Sequence, residues 1–209
     1  MENFFSQLKN IVSASGTFDR LIILGKGNSV NSIDPSTYEN SFVINLNDSE
    51  KIFSGDLCLF HNRWVTKSLE KNSYKASHYV TISDVMDGLS YPNEKFFFVD
   101  YNNISFESFD RLITDFYTRD FCLTDFLILS AIKVAYLISQ IKNKNLQVFL
   151  LGFDFFATNK DEIDNYSGHE LEYKNVLFST QKAYLQLIKK YINEKGNNQI
   201  IHVGNLNIS

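Results

Sequence analysis

The run Leu21-Ile22-Ile23-Leu24-Gly25-Lys26-Gly27-Asn28-Ser29-Val30 decides how the rest of the chain is read. Four consecutive aliphatic residues without polar alternation specify a strand buried on both faces, the signature of a parallel sheet covered by helices. The glycine turn then lies at the carboxyl end of a central strand. Gly25 and Gly27 permit positive φ and close backbone approach, and exposed amides with the Ser29 hydroxyl outline an anion cradle. A tight strand-to-helix connection produces the same Gly-x-Gly spacing. The turn alone therefore leaves phosphate binding and plain chain reversal both open.

Downstream, the same form recurs. Ser41-Phe42-Val43-Ile44-Asn45-Leu46-Asn47 and Asp56-Leu57-Cys58-Leu59-Phe60-His61-Asn62 are apolar strands whose last residues turn polar and amide-bearing. In an open parallel sheet such carboxyl ends line one crevice, where these folds place their ligands. Amides at that edge donate to and accept from ribose hydroxyls and a pyrimidine edge. Trp64 to Glu70 reads as a helix, with short strands at Tyr79-Val80-Thr81-Ile82 and Phe96-Phe97-Phe98-Val99. Phe106 to Asp120 shows no clean period. Leu123 to Ile141 is apolar at helical spacing nearly all round, which predicts a buried helix capped by Thr124 or Asp125. Val148 to Phe156 forms another buried strand running into Gly152-Phe153-Asp154. A long helix from about Tyr173 to Glu194 is expected to bury Leu177, Ala183, Tyr184, Leu187, Ile188 and Tyr191, and Ile200 to Val203 is the last strand. Met1 to Thr17 is an amphipathic start, with Leu8, Ile11 and Val12 at helical spacing and no signal-peptide flank.

With 209 residues, 44% of them hydrophobic, the chain has enough apolar material to bury a substantial core as one globular domain or as one domain with a small lid. A net charge of −4 argues against a general electrostatic grip on nucleic acid. Cys58 and Cys122 sit in apolar surroundings and read as buried hydrophobes in a reducing compartment. The longest apolar stretch, Phe126 to Ile141, is too short and too polar to span a bilayer.

No His/Cys cluster and no Asp-x-Asp pair marks a metal site. The Walker A and nucleophile-elbow spacings are absent, and Val30 replaces the third glycine of the dinucleotide fingerprint, with Asp48 the only acid near the second strand's end. Of the histidines, His78 and His202 have no chemical company in sequence. His61 ends a strand beside Asn62. His169 follows a polar loop and Gly168 directly before a helix, where an imidazole serves either as a general base near neutral pH or as a helix cap.

The order of these features resembles glycosyltransferase family 42, the bacterial sialyltransferases that use CMP-activated sialic acid. The family's Gly-Asn-Gly-Pro-Ser turn is similar to Gly25-Lys26-Gly27-Asn28-Ser29, and its two nucleotide-contacting asparagines fall on Asn47 and Asn62. Its Thr-Ser-Gly resembles Leu123-Thr124-Asp125, its Ser-Gly-Ile-Asp-Phe-Tyr resembles Leu151-Gly152-Phe153-Asp154-Phe155-Phe156, and its Tyr-Ile-Gly-His resembles Tyr166-Ser167-Gly168-His169. Phe156 stands where the family has a phosphate-binding tyrosine, a role that Tyr166 and Lys26 are placed to share.

The resemblance implies a Rossmann-like α/β fold of GT-A-like type, with a mostly parallel sheet, helices on both faces and a lid within 155–172 of a single domain, 1–209. It implies a metal-independent inverting transferase that moves sialic acid, Kdo or another nonulosonate from a CMP donor to a glycan or glycolipid acceptor, as in bacterial lipooligosaccharide. His169 would be the base. Gly25, Lys26, Gly27, Asn28, Ser29, Asn47, Asn62, Thr124, Gly152, Phe153 and Asp154 would bind the nucleotide. No cofactor and no nucleic-acid partner is expected. The expected location is cytoplasmic, compatible with peripheral contact at the inner face of the membrane and with a homo-oligomer. The alternative reading is an NAD(P)-binding oxidoreductase or a non-catalytic nucleotide-binding module on the same scaffold.

Overall fold

The computed structural model describes residues 3–103, 109–155, 168–195 and 199–203, with side-chain surroundings for all of these except 109, 110, 168–174, 195 and 202. The expected lid lies mostly outside this set, as do Tyr166 and Phe156.

Leu21, Ile22, Ile23 and Leu24 are fully buried, so the apolar run is covered on both faces as its composition demands. It forms β1 (Arg20–Leu24), which pairs in parallel with β2 (Ser41–Leu46) on one side and β8 (Gln147–Leu151) on the other. The remaining strands are β3 (Leu57–Leu59), β4 (His78–Thr81), β5 (Phe96–Phe98) and β9 (Gln199–Val203), in the order β5-β4-β3-β2-β1-β8-β9. Every ladder of this seven-stranded sheet among the described residues is parallel. The strand order reverses direction between β1 and β8, the switch point where such sheets open a crevice.

Alternate residues of each strand feed different layers. Leu21, Ile23, Phe42, Ile44, Leu57, Leu59, Val148 and Leu150 face α1 (Phe4–Ala14), α5 (Leu127–Lys142) and α6 (Gly168–Lys195). On the opposite face Cys58, Phe60 and Tyr79 pack with Val65 and Leu69 of α2 (Arg63–Lys71) and Val85 and Met86 of the short α3 (Ser83–Met86). Helices thus cover both faces, as the sequence implied.

Four details differ from the sequence reading. Two three-residue strands, β6 (Asp100–Asn102) and β7 (Cys122–Thr124), pair in parallel as a separate small sheet, too short for any periodicity to announce them. Between them, part of the stretch without a clean period forms the helix α4 (Phe109–Phe116). Because Leu123 and Thr124 are strand, α5 starts at Leu127 with Phe126 as its N-cap, and neither Thr124 nor Asp125 caps it. Helix α6 begins at Gly168 instead of near Tyr173, since Glu170, Leu171 and Glu172 are good helix formers with acids suited to a first turn. Its buried side chains are Leu185, Ile188 and Ile192, whereas Leu187, expected inside, is 49% exposed. These three lie at i, i+3 and i+7, a narrower stripe rotated from the expected one. No helix among the described residues is long and apolar enough to cross a membrane.

Candidate functional site

The carboxyl edge of the sheet carries nearly all the residues singled out from the sequence, and polar accounting divides them into two groups. The first surrounds the glycine turn at the β1/β8 switch point. Gly25 N–H donates to Leu151 O and Gly27 N–H to Gly152 O, both at 2.8 Å, and Ser29 N–H donates to the Asp154 carboxylate at 3.1 Å. The expected anion cradle is therefore corrected: three of its amides already have acceptors, and the negative group at Ser29 is the chain's own Asp154. The glycines serve this close approach. A Cβ on Gly27 would stand 2.5 Å from Asp154 Oδ2, and Gly152, at φ +71°, would drive one to 2.5 Å from Val30 Cγ1. The segment after the turn, Asn28–Ser32, is a single 3₁₀ piece, too short for a helix-terminus anion site.

Lys26 turns away from this loop. Its ammonium is 2.6 Å from Asp48 Oδ1 and 4.7 Å from the centroid of the Trp64 ring, which is half exposed at the start of α2. Asp48, with its side chain 6% exposed, also receives Lys51 and the Ser68 hydroxyl, each at 2.7 Å. Burial opposes its ionisation, but these hydrogen bonds outweigh that and hold the carboxyl far below the usual carboxylate range. Asp48, just after β2, is thus committed to an internal charge network, and Glu50 two residues on is buried and accepts from Asn72 Nδ2, Ala76 N–H and the Tyr79 hydroxyl.

The second group lies at the ends of β2 and β3. Asn45 is fully buried and fully satisfied: Nδ2 donates to Ser49 Oγ and Phe53 O, and Oδ1 accepts from Gly55 N–H. Asn47, two residues on, is different. It sits in the left-handed region at φ +54°, and its Oδ1 is buried without a hydrogen-bond partner. Its backbone is fixed by a bond from its N–H to Leu59 O and another from Cys58 Sγ to its carbonyl, so the side chain's position at the β2/β3 junction is set by the chain around it. Asn62 occupies the N-cap of α2 but its side chain makes no capping bond, and Nδ2 lies 3.3 Å from His61 Nε2. His61 Nδ1 and Ser29 Oγ are likewise buried and unpartnered. Thr81 Oγ1 at the end of β4, His78 Nδ1 and Tyr117 Oη are also buried without a partner among the described residues, and such atoms in native structures are nearly always met by a ligand or an ordered water.

Other candidates fall elsewhere. Thr124 Oγ1 is buried against Phe126 O at 3.1 Å and Ser130 Oγ at 3.0 Å, which ties β7 to α5. Phe153 is half-buried against the core. His169 is in the first turn of α6 and not in the loop before it, and its side chain lies outside the described residues. A helix of 28 residues is about 42 Å long, far longer than the strands, and among residues 175–194 the buried ones are Leu185, Ile188 and Ile192. Sequence reasoning gave Tyr101 no part in the site, yet its ring lies 5.4 Å from that of His61. The run Asp100-Tyr101-Asn102-Asn103 ends in amides like the other strands, the one signal that pointed to it. Among the described residues, no group of three or more His, Cys, Asp and Glu is gathered as a metal site.

Comparison of the chain with protein-family models, with curated proteins and with solved structures finds no match.

Proposed function

We propose that the β2/β3 half of the carboxyl edge binds the cytidine monophosphate portion of a CMP-activated acidic sugar. The chain then transfers that sugar, sialic acid or a related nonulosonate, to a glycan hydroxyl with inversion and without a divalent ion. The observation that carries the reading is the buried, unpartnered Oδ1 of Asn47. It belongs to one of the two asparagines to which the resemblance assigns nucleotide contact, and it faces the cost of stranded burial until a donor such as the cytosine amine or a ribose hydroxyl reaches it.

In this mechanism the acceptor hydroxyl attacks the anomeric carbon as the bond to the phosphate oxygen breaks. His169 takes the hydroxyl proton, and CMP departs with the bonding electrons. A base of this kind contributes roughly 10²–10⁴ in rate. Because the amides of Gly25, Gly27 and Ser29 have acceptors, the leaving phosphate is met by other groups, with Tyr166 the first candidate.

Thermal-shift measurements with CMP, CDP, UDP, NAD and NADP test the ligand class, since a ligand bound only by the native state raises the apparent melting temperature. Stabilisation by the cytidine nucleotides is expected. A response to NAD or NADP alone would replace the transferase reading with an oxidoreductase. His169→Ala tests the chemistry: it should keep CMP affinity and lose transfer by a factor of 100 or more, on the order expected for a missing base. A variant that transfers sugar at the parent's rate removes His169 from the mechanism.

A further inference from the structure

The two ring nitrogens of His61 stand in different situations. Nε2 lies 3.3 Å from Asn62 Nδ2, and in the tautomer that lets this amide donate to Nε2 the ring proton resides on Nδ1. Nδ1 is buried and meets no acceptor among the described residues. A buried N–H without a protein acceptor is costly unless an ordered water or a ligand completes the bond. The ring is held in place by Tyr101 of β6, with centroids 5.4 Å apart, and the negative charge of Asp125, just after β7, acts on both residues. The small β6/β7 sheet therefore delivers an aromatic wall to the end of β3, within reach of the Asp125 charge. Burial lowers the pKa of His61 below the ordinary histidine value, with Asp125 opposing that shift, which leaves the imidazole a neutral donor at neutral pH.

We infer that His61 Nδ1–H is a recognition group of this crevice, donating a hydrogen bond to a neutral oxygen of the ligand's nucleoside part, a ribose hydroxyl or the pyrimidine carbonyl. The inference rests on the nucleotide reading above. A phosphate oxygen is the less favoured partner, because the negative charge of Asp125 acts on the ring and disfavours a second anion there. A hydroxyl or a carbonyl carries no such penalty and supplies the acceptor that the ring lacks.

Isosteric substitution separates the two nitrogens. Asparagine at position 61 puts an amide nitrogen near the place of Nδ1, whereas glutamine reaches the place of Nε2. Calorimetric titration of cytidine and of CMP into the parent, His61→Asn, His61→Gln and His61→Leu reads the difference, with melting temperatures confirming that each variant is folded. His61→Asn should bind within about threefold of the parent, while His61→Gln and His61→Leu should lose roughly tenfold or more, the loss of one buried hydrogen bond. The factor should be the same for cytidine as for CMP, because the contact addresses the nucleoside. Equal binding by all four proteins removes His61 and leaves the nucleotide reading intact. Retention by His61→Gln with loss in His61→Asn overturns the inference in favour of Nε2 acting through Asn62. A loss confined to CMP overturns the neutral-acceptor assignment. A parent that binds neither ligand overturns the functional reading and this inference with it.

Discussion

The two halves of the sheet's carboxyl edge look alike in sequence and differ in their hydrogen bonds. At the β1/β8 switch point the backbone amides of the glycine turn are answered by Leu151, Gly152 and Asp154, and only the Ser29 hydroxyl is left without a partner among the described residues. At the β2/β3 ends, Asn47 Oδ1 and His61 Nδ1 are buried with no partner. Glycines, amides and a serine hydroxyl are equally suited to gripping a ligand or to knotting two loops together. Counting the bonds they already make decides which they do. The proposed function takes the closed half as scaffold and the open half as the nucleotide's place.

The largest effect that distinguishes the halves should come from the closed one. Gly152→Ala places a side chain at φ +71° and 2.5 Å from Val30 Cγ1, with Gly25 backbone atoms at 3.0 Å. Strain and overpacking together should cost about 3 kcal/mol or more in urea unfolding. A variant within 0.5 kcal/mol of the parent, roughly the scatter of a neutral surface change, would break the claim that this junction is tightly interlocked.

A smaller loss is expected at Asp48. Asp48→Asn should lower stability at pH 7 by about 2 kcal/mol, the scale of hydrogen bonds to a charged group. Asp48's native pKa is depressed, so its contribution is fully present above the unfolded carboxylate value of about 4 and is lost as pH falls through the native value. The gap between parent and variant should therefore narrow in acid. A gap that is constant from neutral to strongly acid pH would remove the charge network from the account.

The smallest effect belongs to the open half and has the opposite sign. Asn47 holds a left-handed conformation that glycine adopts freely, and its side chain brings an unpaired buried oxygen. Asn47→Gly should therefore match or exceed the parent in stability, by about 0.5 kcal/mol, while losing CMP affinity. Clear destabilisation would mean that Asn47 is scaffold like Asn45.

What was legible in the sequence follows from the same physics. Runs such as Leu21–Leu24 and Val148–Leu151 announced buried parallel strands because both faces are covered, and the near-continuous apolar pattern of Leu127–Ile141 announced α5. Three-residue strands carry no period, so β6 and β7 were invisible, and with them the approach of Tyr101 to His61. The bond from Ser29 N–H to Asp154 joins residues 125 positions apart, which no local pattern encodes, and so the filled cradle read as an empty one. Asn45 and Asn47 are indistinguishable as letters at a strand end. Their partners, set by Ser49, Phe53 and Gly55, separate them.

That separation makes the central claim directly measurable by melting Asn45→Ala, Asn47→Ala and the parent with and without CMP on matched preparations. The account predicts that CMP raises the parent's melting temperature. Asn45→Ala should melt several degrees lower without ligand, about 2 kcal/mol for a buried amide whose partners are stranded. Asn47→Ala should melt only slightly lower, by about 1 kcal/mol for an alanine at φ +54°, and lose most of the CMP-induced shift, since about 1–3 kcal/mol of binding goes with the amide. No shift in the parent, or an undiminished shift in Asn47→Ala, would contradict the assignment of the β2/β3 edge as the nucleotide site.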